Sequence, residues 1–573
     1  MKKLFCIILT FFMILNITGV FAEVMPIKLG VLETDNPYER DYELPPLDDR
    51  QFHHGSMAPE LLPSSFTSEH ISPVKNQGKI GVCWTFSAIG MVESALLRKF
   101  PDSNGDKSIY DFSEEHMRYA LSDTGNNPNG FIRSPAAGGN SPKAMAYLMR
   151  REGLVDEVSD PYTVSDTPRD YSITQSKPKS SVFVKEMIDI PDLEAADRTG
   201  LNEKKLAHIK RIKTLVYDYD VVATAVFYDT ESFSADMENL CYNPSSDAIK
   251  GPDHAVSIIG WDDTYSALNF KNPPAGDGAF LIKNSHGDTA NNGDGLFHLS
   301  YYDLYAGFNA YAIPEVMYDG NFNIYEYDKM GMNASFGYSQ AASIEYACVF
   351  EKKNSDPEYI TAISFYATNP NSKYEILINA AMPASQEKPS FKDMTSILEK
   401  SIEYSGYYTV ELPVPIKISD SKFVIAIQPT TLNGTNARAA VETTSKSINF
   451  VPSLNSYIRL GNSPQEYQQL PNADVCIKAI TKSTNSPITA VNSLRDGKFH
   501  TVLKNNTGVA LDGKLCIGTY ENMILTDITF ADIHSNSYDT SADFSILAPA
   551  ENGKTYKSIY LKDLPSIQPL TQP

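Results

Sequence analysis

The stretch QGKIGVCWTFS, Gln77 to Ser87, opens an apolar-striped segment that continues to Phe100. Phe86, Ile89, Val92, Leu96 and Phe100 recur at three- and four-residue spacing, which predicts a helix burying one face. Gly78 and Gly81 fall just before the stripe, so Cys83 belongs in the first turn. The unpaired N–H groups and positive dipole end there favour thiolate over thiol. A lone cysteine at a helix start most often packs as a small hydrophobe. Two later stretches change that reading: GPDHAVSIIGWDD, which holds His254, and GAFLIKNSHG, which holds Asn284. Cys, His and Asn in that order, with Gln77 ahead of the Cys, are the parts a thiol acyl-transfer site needs.

Other pieces extend the pattern: LPSSF from Leu62, PVKNQG around Lys75, FSEEHM from Phe112 and GGNSPKAM from Gly138. With CWTFS, DHAV and KNS, they make the chain resemble the papain-like cysteine peptidases. The resemblance is to the secreted microbial branch in which a lectin-like β domain follows the peptidase. It covers about residues 62–315 and implies an α+β papain-like two-lobe fold, a helical lobe plus a β-barrel-like lobe, followed by all-β sandwich domains. The implied activity is that of a cysteine endopeptidase acting on protein or peptide substrates through a thiolate–imidazolium pair and an acyl-enzyme, with processing of cell-surface or extracellular proteins as the implied role.

Carried onto this sequence, the resemblance makes Cys83 the nucleophile, His254 its proton carrier and Asn284 the residue that fixes the imidazole plane. Gln77 and the Cys83 N–H would form the oxyanion hole. Gly138 and Gly139 would pair with an extended substrate, since glycine lets another backbone approach closely. Trp84, Asp253 and His286 are expected along the same cleft. The family usually reads NSWG where this chain has Asn284, Ser285, His286 and Gly287, so the Trp that covers the Asn–His bond is replaced by an imidazole that can titrate. A weaker shield and a displaced pH optimum are expected. His53, His54, His70, His208, His500 and His534 lie in polar or poorly defined stretches, and His298 in a strand. No metal site is expected and the chemistry needs no cofactor; a structural calcium is compatible with the sequence but not indicated by it.

At 573 residues and 42% hydrophobic content the chain should hold about three domains. A formal charge of -21 without basic patches argues against nucleic acid as partner. Met1 to Ala22 reads as a secretory signal peptide, with Lys2 and Lys3, an apolar run from Leu4 to Leu15, and Ala22 at the cleavage point. Asn16 and Thr18 break that run short of a spanning helix, and no other run is long enough to span a membrane. Residues 23–61 are either a short inhibitory pro-segment or a plain N-terminal extension. Cys241, Cys348, Cys476 and Cys516 lie far apart, with no metal-site or dense disulfide spacing. Many relatives bridge two positions that here read Ile80 and Ala136, so both halves of that bridge are missing together.

Helical spacing is expected over 112–121, 141–151 and 206–217, and strands at Val221, after His254, over 279–283 and over 295–302. Past Tyr311 the texture changes to short β-branched and aromatic runs separated by turn residues, which argues for a sandwich. Residues 320–482 resemble the lectin-like domain, through EYDKMG at Glu326 and IKAIT at Ile477. This describes shape rather than sugar binding, and association with a cell surface through the β domains is one implied role. After a polar linker, 487–573 read as an immunoglobulin-like β sandwich. The other class of function open to this sequence is a catalytically inactive peptidase-fold protein that binds or adheres through its β domains.

Overall fold

The computed structural model describes residues 62–561 except 103, 152, 229–238, 241–250, 289–290, 319–321, 354, 433–435, 462, 484–487, 496–497, 506–511, 522–523, 535–547 and 550–553. The expected signal peptide and leader, Cys241, and the expected inter-domain linker apart from Ser483, which ends a strand, lie outside the described residues.

The helix that begins the nucleophile segment runs Cys83–Lys99, and Arg98 and Lys99 in its last turn complement the dipole. It does not bury one face as its stripe predicts: Cys83 through Leu97 are all buried. The polar positions explain why. Ser87 Oγ donates to Val256 O at 2.9 Å, and Glu93 accepts from the Phe112 N–H at 3.0 Å. With its polar side chains satisfied, the helix can be enclosed on all sides, its apolar residues feeding a core shared with Met117, Ala144, Leu148 and Ile259. The flanking helices are Glu114–Ala120, capped by Ser113, and Ser141–Met149, with Pro142 in the first turn. Glu203–Tyr219, capped by Asn202, covers the far side of the β lobe.

The β lobe is an antiparallel sheet in which Ala310–Tyr318, Val222–Val226, His254–Asp262, Ala279–Lys283 and Leu296–Ser300 are successive neighbours. Val226 lies opposite His254, and Ser257 opposite Lys283. His254 starts its strand and Asn284 follows the end of the next, so the antiparallel register sets both at one end of the sheet.

The strand Val182–Ile190 escapes sequence reading, because VFVKEMIDI does not alternate apolar and polar residues, although Pro178, Ser180 and Ser181 precede it and Pro191 follows. It joins the two large units. On one side it pairs with Ala310–Tyr318, and on the other with Gly406–Lys417, through Ile188 opposite Gly406 and Glu186 opposite Tyr408. The sheet then continues into Glu358–Ala367 and Ile477–Ser483. This layer packs on a six-stranded antiparallel sheet centred on Lys422–Thr431, and Ile363, Phe365, Ile376, Ile425 and Ile427 fill the space between them. Val475 and Ile477, two positions apart, belong to different sheets: Val475 pairs with Val441 in a small third sheet, and Ile477 pairs with Phe365 in the large one. Farther on, two three-stranded antiparallel sheets are built from Ile488–Arg495, Lys498–Asn505 and Ala548–Pro549, and from Ile524–His534, Asp512–Glu521 and Lys554–Leu561.

Candidate active site

Cys83 is the first residue of its helix, after Val82, whose side chain makes no cap. The thiol is 8% exposed and its Sγ accepts from the Ala255 N–H at 3.3 Å. That bond ties the sulfur to the residue next to His254, although the two lie on different lobes. Helix start and sheet end therefore meet at the lobe interface.

His254 Nε2 and Asn284 Oδ1 are 2.8 Å apart, an orientation in which the ring N–H donates to the amide oxygen and Nδ1 remains as base. Asn284 is held in turn: its Nδ2 donates to Asn291 Oδ1 at 2.9 Å and reaches Tyr228 Oη at 3.4 Å and His286 Nδ1 at 3.3 Å. His286 stacks on His254, and Tyr228 sets its ring against both imidazoles, 4.8 Å from His254 and 5.3 Å from His286. His254 is 7% exposed and Asn284 3%. The expected weak shield is thus made good by a pair of rings, a His and a Tyr, where the resembled family has one Trp.

Gln77 is brought to the same place by Ser285. The Gln77 N–H donates to Ser285 O at 2.8 Å, and Ser285 Oγ donates to Gln77 Oε1 at 2.6 Å. Gln77 Nε2 donates to Ile80 O at 2.9 Å, which leaves the second amide hydrogen for another acceptor. Gly81 N–H donates to Ala136 O at 3.2 Å, so a backbone bond joins the two segments that the missing disulfide would have joined.

Trp84 is buried, with the Arg133 guanidinium 4.8 Å over its ring. A methyl group at Gly139 would come within 2.4 Å of that ring, whereas one at Gly138 would meet nothing within 4 Å. Gly139 is needed for close packing on Trp84; Gly138 faces open space, as a strip offered to another backbone would. Asp253 is exposed, and its carboxylate accepts from the Tyr228 N–H at 2.8 Å, holding the residue that covers His254.

Electrostatics favour the neutral forms. Burial pushes the Cys83 thiol above its usual range, against the N–H groups of Ala255 and Trp84, so the helix start alone does not deliver a thiolate. Burial lowers His254 to about 4, with Asn284 acting against it and His286 adding to it. Each group alone resists charge. Moving the thiol proton to the imidazole forms both charges at once, and their attraction in a low-dielectric site offsets the desolvation. Behind the site, Lys75 binds Glu93 at 2.7 Å, Asp111 at 2.7 Å and Glu114 at 3.1 Å. Burial opposes the Lys75 charge, but these carboxylates hold the amine protonated above its usual range; burial raises Glu114 to about 8. Lys283, beside Asn284, donates to Ser72 Oγ at 2.8 Å.

Sequence reasoning missed Tyr228, Asn291 and the Lys75 clamp. Tyr228 stands two residues past a strand in no motif, and only the β pairing of Val226 with His254 brings it over the ring. Lys75 and Glu93 are 18 positions apart and meet because the chain before Gln77 crosses the buried helix.

Residues 62–311 match the family described as papain family cysteine protease, and residues 324–481 match the lectin like domain. Cysteine proteinase 4 of Dictyostelium discoideum is 25% identical over 191 residues, 33% of this chain and 37% of that protein. Human cathepsin L2 is 25% identical over 218 residues, 38% of this chain and 54% of that protein. The chain therefore spans about half or less of these relatives. Among solved structures, the cysteine protease and lectin-like domains of Cwp84, a surface layer associated protein of Clostridium difficile, superpose with a TM-score of 0.61 at 23% identity, covering 74% of this chain and 89% of that one.

Proposed function

Residues 62–311 form a papain-family cysteine peptidase domain and residues 324–481 a lectin-like domain, and from that premise we propose that this protein is a cysteine endopeptidase that works outside the cell. One observation carries the reading: Cys83 Sγ is bonded to the backbone of Ala255, beside a His254 whose Nε2–H is committed to Asn284. In the proposed cycle the Cys83 proton passes to His254 Nδ1, and the sulfur adds to the peptide carbonyl as the C=O π pair moves to oxygen. Gln77 Nε2 and the Cys83 N–H bind that oxyanion, a donor whose loss typically costs about 3 kcal/mol of transition-state stabilisation. Collapse of the intermediate breaks the C–N bond while His254 gives its proton to the leaving amine. Water, deprotonated by His254, then releases the acyl group and restores the thiol.

Action outside the cell is supported by the N-terminal sequence from Lys2 to Ala22 and by the surface-layer description of the protein with a similar fold. Extracellular or cell-surface proteins are the proposed substrates. The test combines an irreversible thiol-directed epoxide with a peptide library. Added mass at Cys83, and cleavage by the wild type that is lost in Cys83→Ala, are expected. A wild type that cleaves nothing while the epoxide fails to label Cys83 would favour a catalytically inactive binding protein.

A further inference from the structure

The lectin-like domain reaches the wall of the cleft. Its four-residue turn Ser445–Ile448 lies against the peptidase segment that leads into the glycine strip. Ile132 N–H donates to Ser447 O at 2.7 Å, and Phe131 and Ile448 form a β-bridge. At the surface, Asn449 Nδ2 donates to Asp123 Oδ2 at 3.1 Å. Phe131 is 7% and Ile448 4% exposed, and both belong to the core that encloses Trp84.

Only residues 133–137 separate these contacts from the strip, and the stretch between is tied down at each end. Arg133 stacks on Trp84 and donates to Ser134 O at 3.4 Å and to Ala137 O, bracing its own loop from within. Ala136 O accepts from Gly81 N–H in the loop before Cys83, and Gly139 rests on the Trp84 ring. Among the described residues the ladder ends with Phe131–Ile132, paired in parallel with Ser122–Asp123; beyond it the inner side is held by single bonds, Arg133 N–H to Asp123 O at 3.4 Å and Arg118 to Pro135 O at 3.3 Å, and by a turn in which Ala137 N–H donates to Ser134 O at 3.1 Å. A wall with so little ladder of its own takes its position from what it is packed against. On its outer side that is the second domain.

We propose that the turn Ser445–Ile448 of the lectin-like domain positions the glycine-bearing wall of the cleft, so that substrate binding along Gly138 and Gly139 depends on that domain. The inference rests on the peptidase reading for its substrate and on geometry alone for its mechanical part. The second domain then acts as a structural half of the binding cleft, whatever else it binds.

The test uses the full chain carrying Ile448→Ala or Asn449→Ala, with Val451→Ala, 82% exposed in the same loop, as control. Amide hydrogen exchange over 131–139 is read together with peptide kinetics and the rate of Cys83 alkylation by iodoacetamide. Faster exchange at 131–139, KM raised about tenfold with kcat and alkylation within about twofold, and an inert Val451→Ala are expected. Unchanged exchange and KM in folded Ile448→Ala and Asn449→Ala would overturn the proposal. If Ile448→Ala does not fold, Asn449→Ala decides, because its bond lies at the surface. If no peptide is cleaved even by the wild type, the peptidase reading fails, while the exchange result still decides whether the turn positions the wall.

Discussion

His286 lies almost parallel on His254, the ring centroids 4.9 Å apart and the planes 22° from coplanar. Asn284 bridges the two rings, taking the His254 Nε2–H on its oxygen and meeting His286 Nδ1 with its nitrogen. Tyr228 closes the third side. A second imidazole is therefore part of the environment in which the proton carrier titrates: burial depresses the basicity of His254, and His286 adds to it.

Replacing His286 by Trp removes that repulsion and keeps an apolar cover. His254 should take up its proton at higher pH, moving the acidic limb of the kcat/KM profile upward by about half a unit or more. Tyr228→Ala, which uncovers the His254–Asn284 bond on the other side, should lower kcat at every pH. A profile of His286→Trp that superposes on the wild type would refute the coupling.

The two glycines of the strip should separate under the same substitution. Gly139→Ala sets a methyl inside the Trp84 ring and should destabilise the fold by about 2 kcal/mol or more, read as a lower urea midpoint. Gly138→Ala meets open space, so its midpoint should stay near wild type while KM rises, because the methyl stands where substrate backbone would lie. Equal effects on folding, or no effect of Gly138→Ala on KM, would remove the strip from the binding site.

Lys75→Met leaves Glu93 and Glu114 buried without their cation. Breaking such a group by removing one partner typically costs about 3–5 kcal/mol, and part of that cost is escaped here because Glu114, already raised to about 8, can take up a proton. The variant should therefore be less destabilised at pH 5 than at pH 8. Chemical denaturation at the two pH values checks it; a constant deficit would contradict the assignment.

His208 offers a pH test remote from the cleft. Its Nε2 lies 2.9 Å from Gly307 O, and burial lowers its pKa to about 4 from an ordinary 6.5. The unfolded chain binds this proton first, so the stability contributed by the neutral ring is present above pH 6.5 and lost as pH falls toward 4, on the order of 3 kcal/mol. His208→Gln, which can keep the donor to Gly307, should show a deficit in unfolding free energy that shrinks from pH 7 to pH 4.5.

Much of the peptidase was legible because its chemistry is written in short contiguous pieces. CWTFS, DHAV and KNS put Cys83, His254 and Asn284 at the starts or ends of elements whose periodicity is plain, and the structure gathers those three with Gln77 and Ser285. The limits have a common cause. The stripe on Cys83–Lys99 records only its apolar face, and the polar face is buried through Ser87 and Glu93, whose partners are 169 and 19 positions away. Tyr228 and Asn291 carry no local signal, since only strand register delivers them. The split at Cys476 was invisible for a related reason: a change of sheet leaves the residue pattern of VCIKAI uninterrupted.

The pairing of Val182–Ile190 with Gly406–Lys417 bears on how such a protein could arise or be dissected. A fragment ending before the lectin-like domain would leave that strand with a row of naked amide and carbonyl groups, a template for sticking to its own kind. Recombination that exchanged either unit for an unrelated one would face the same exposed margin. A shortened form would be expected to clump before it could be assayed.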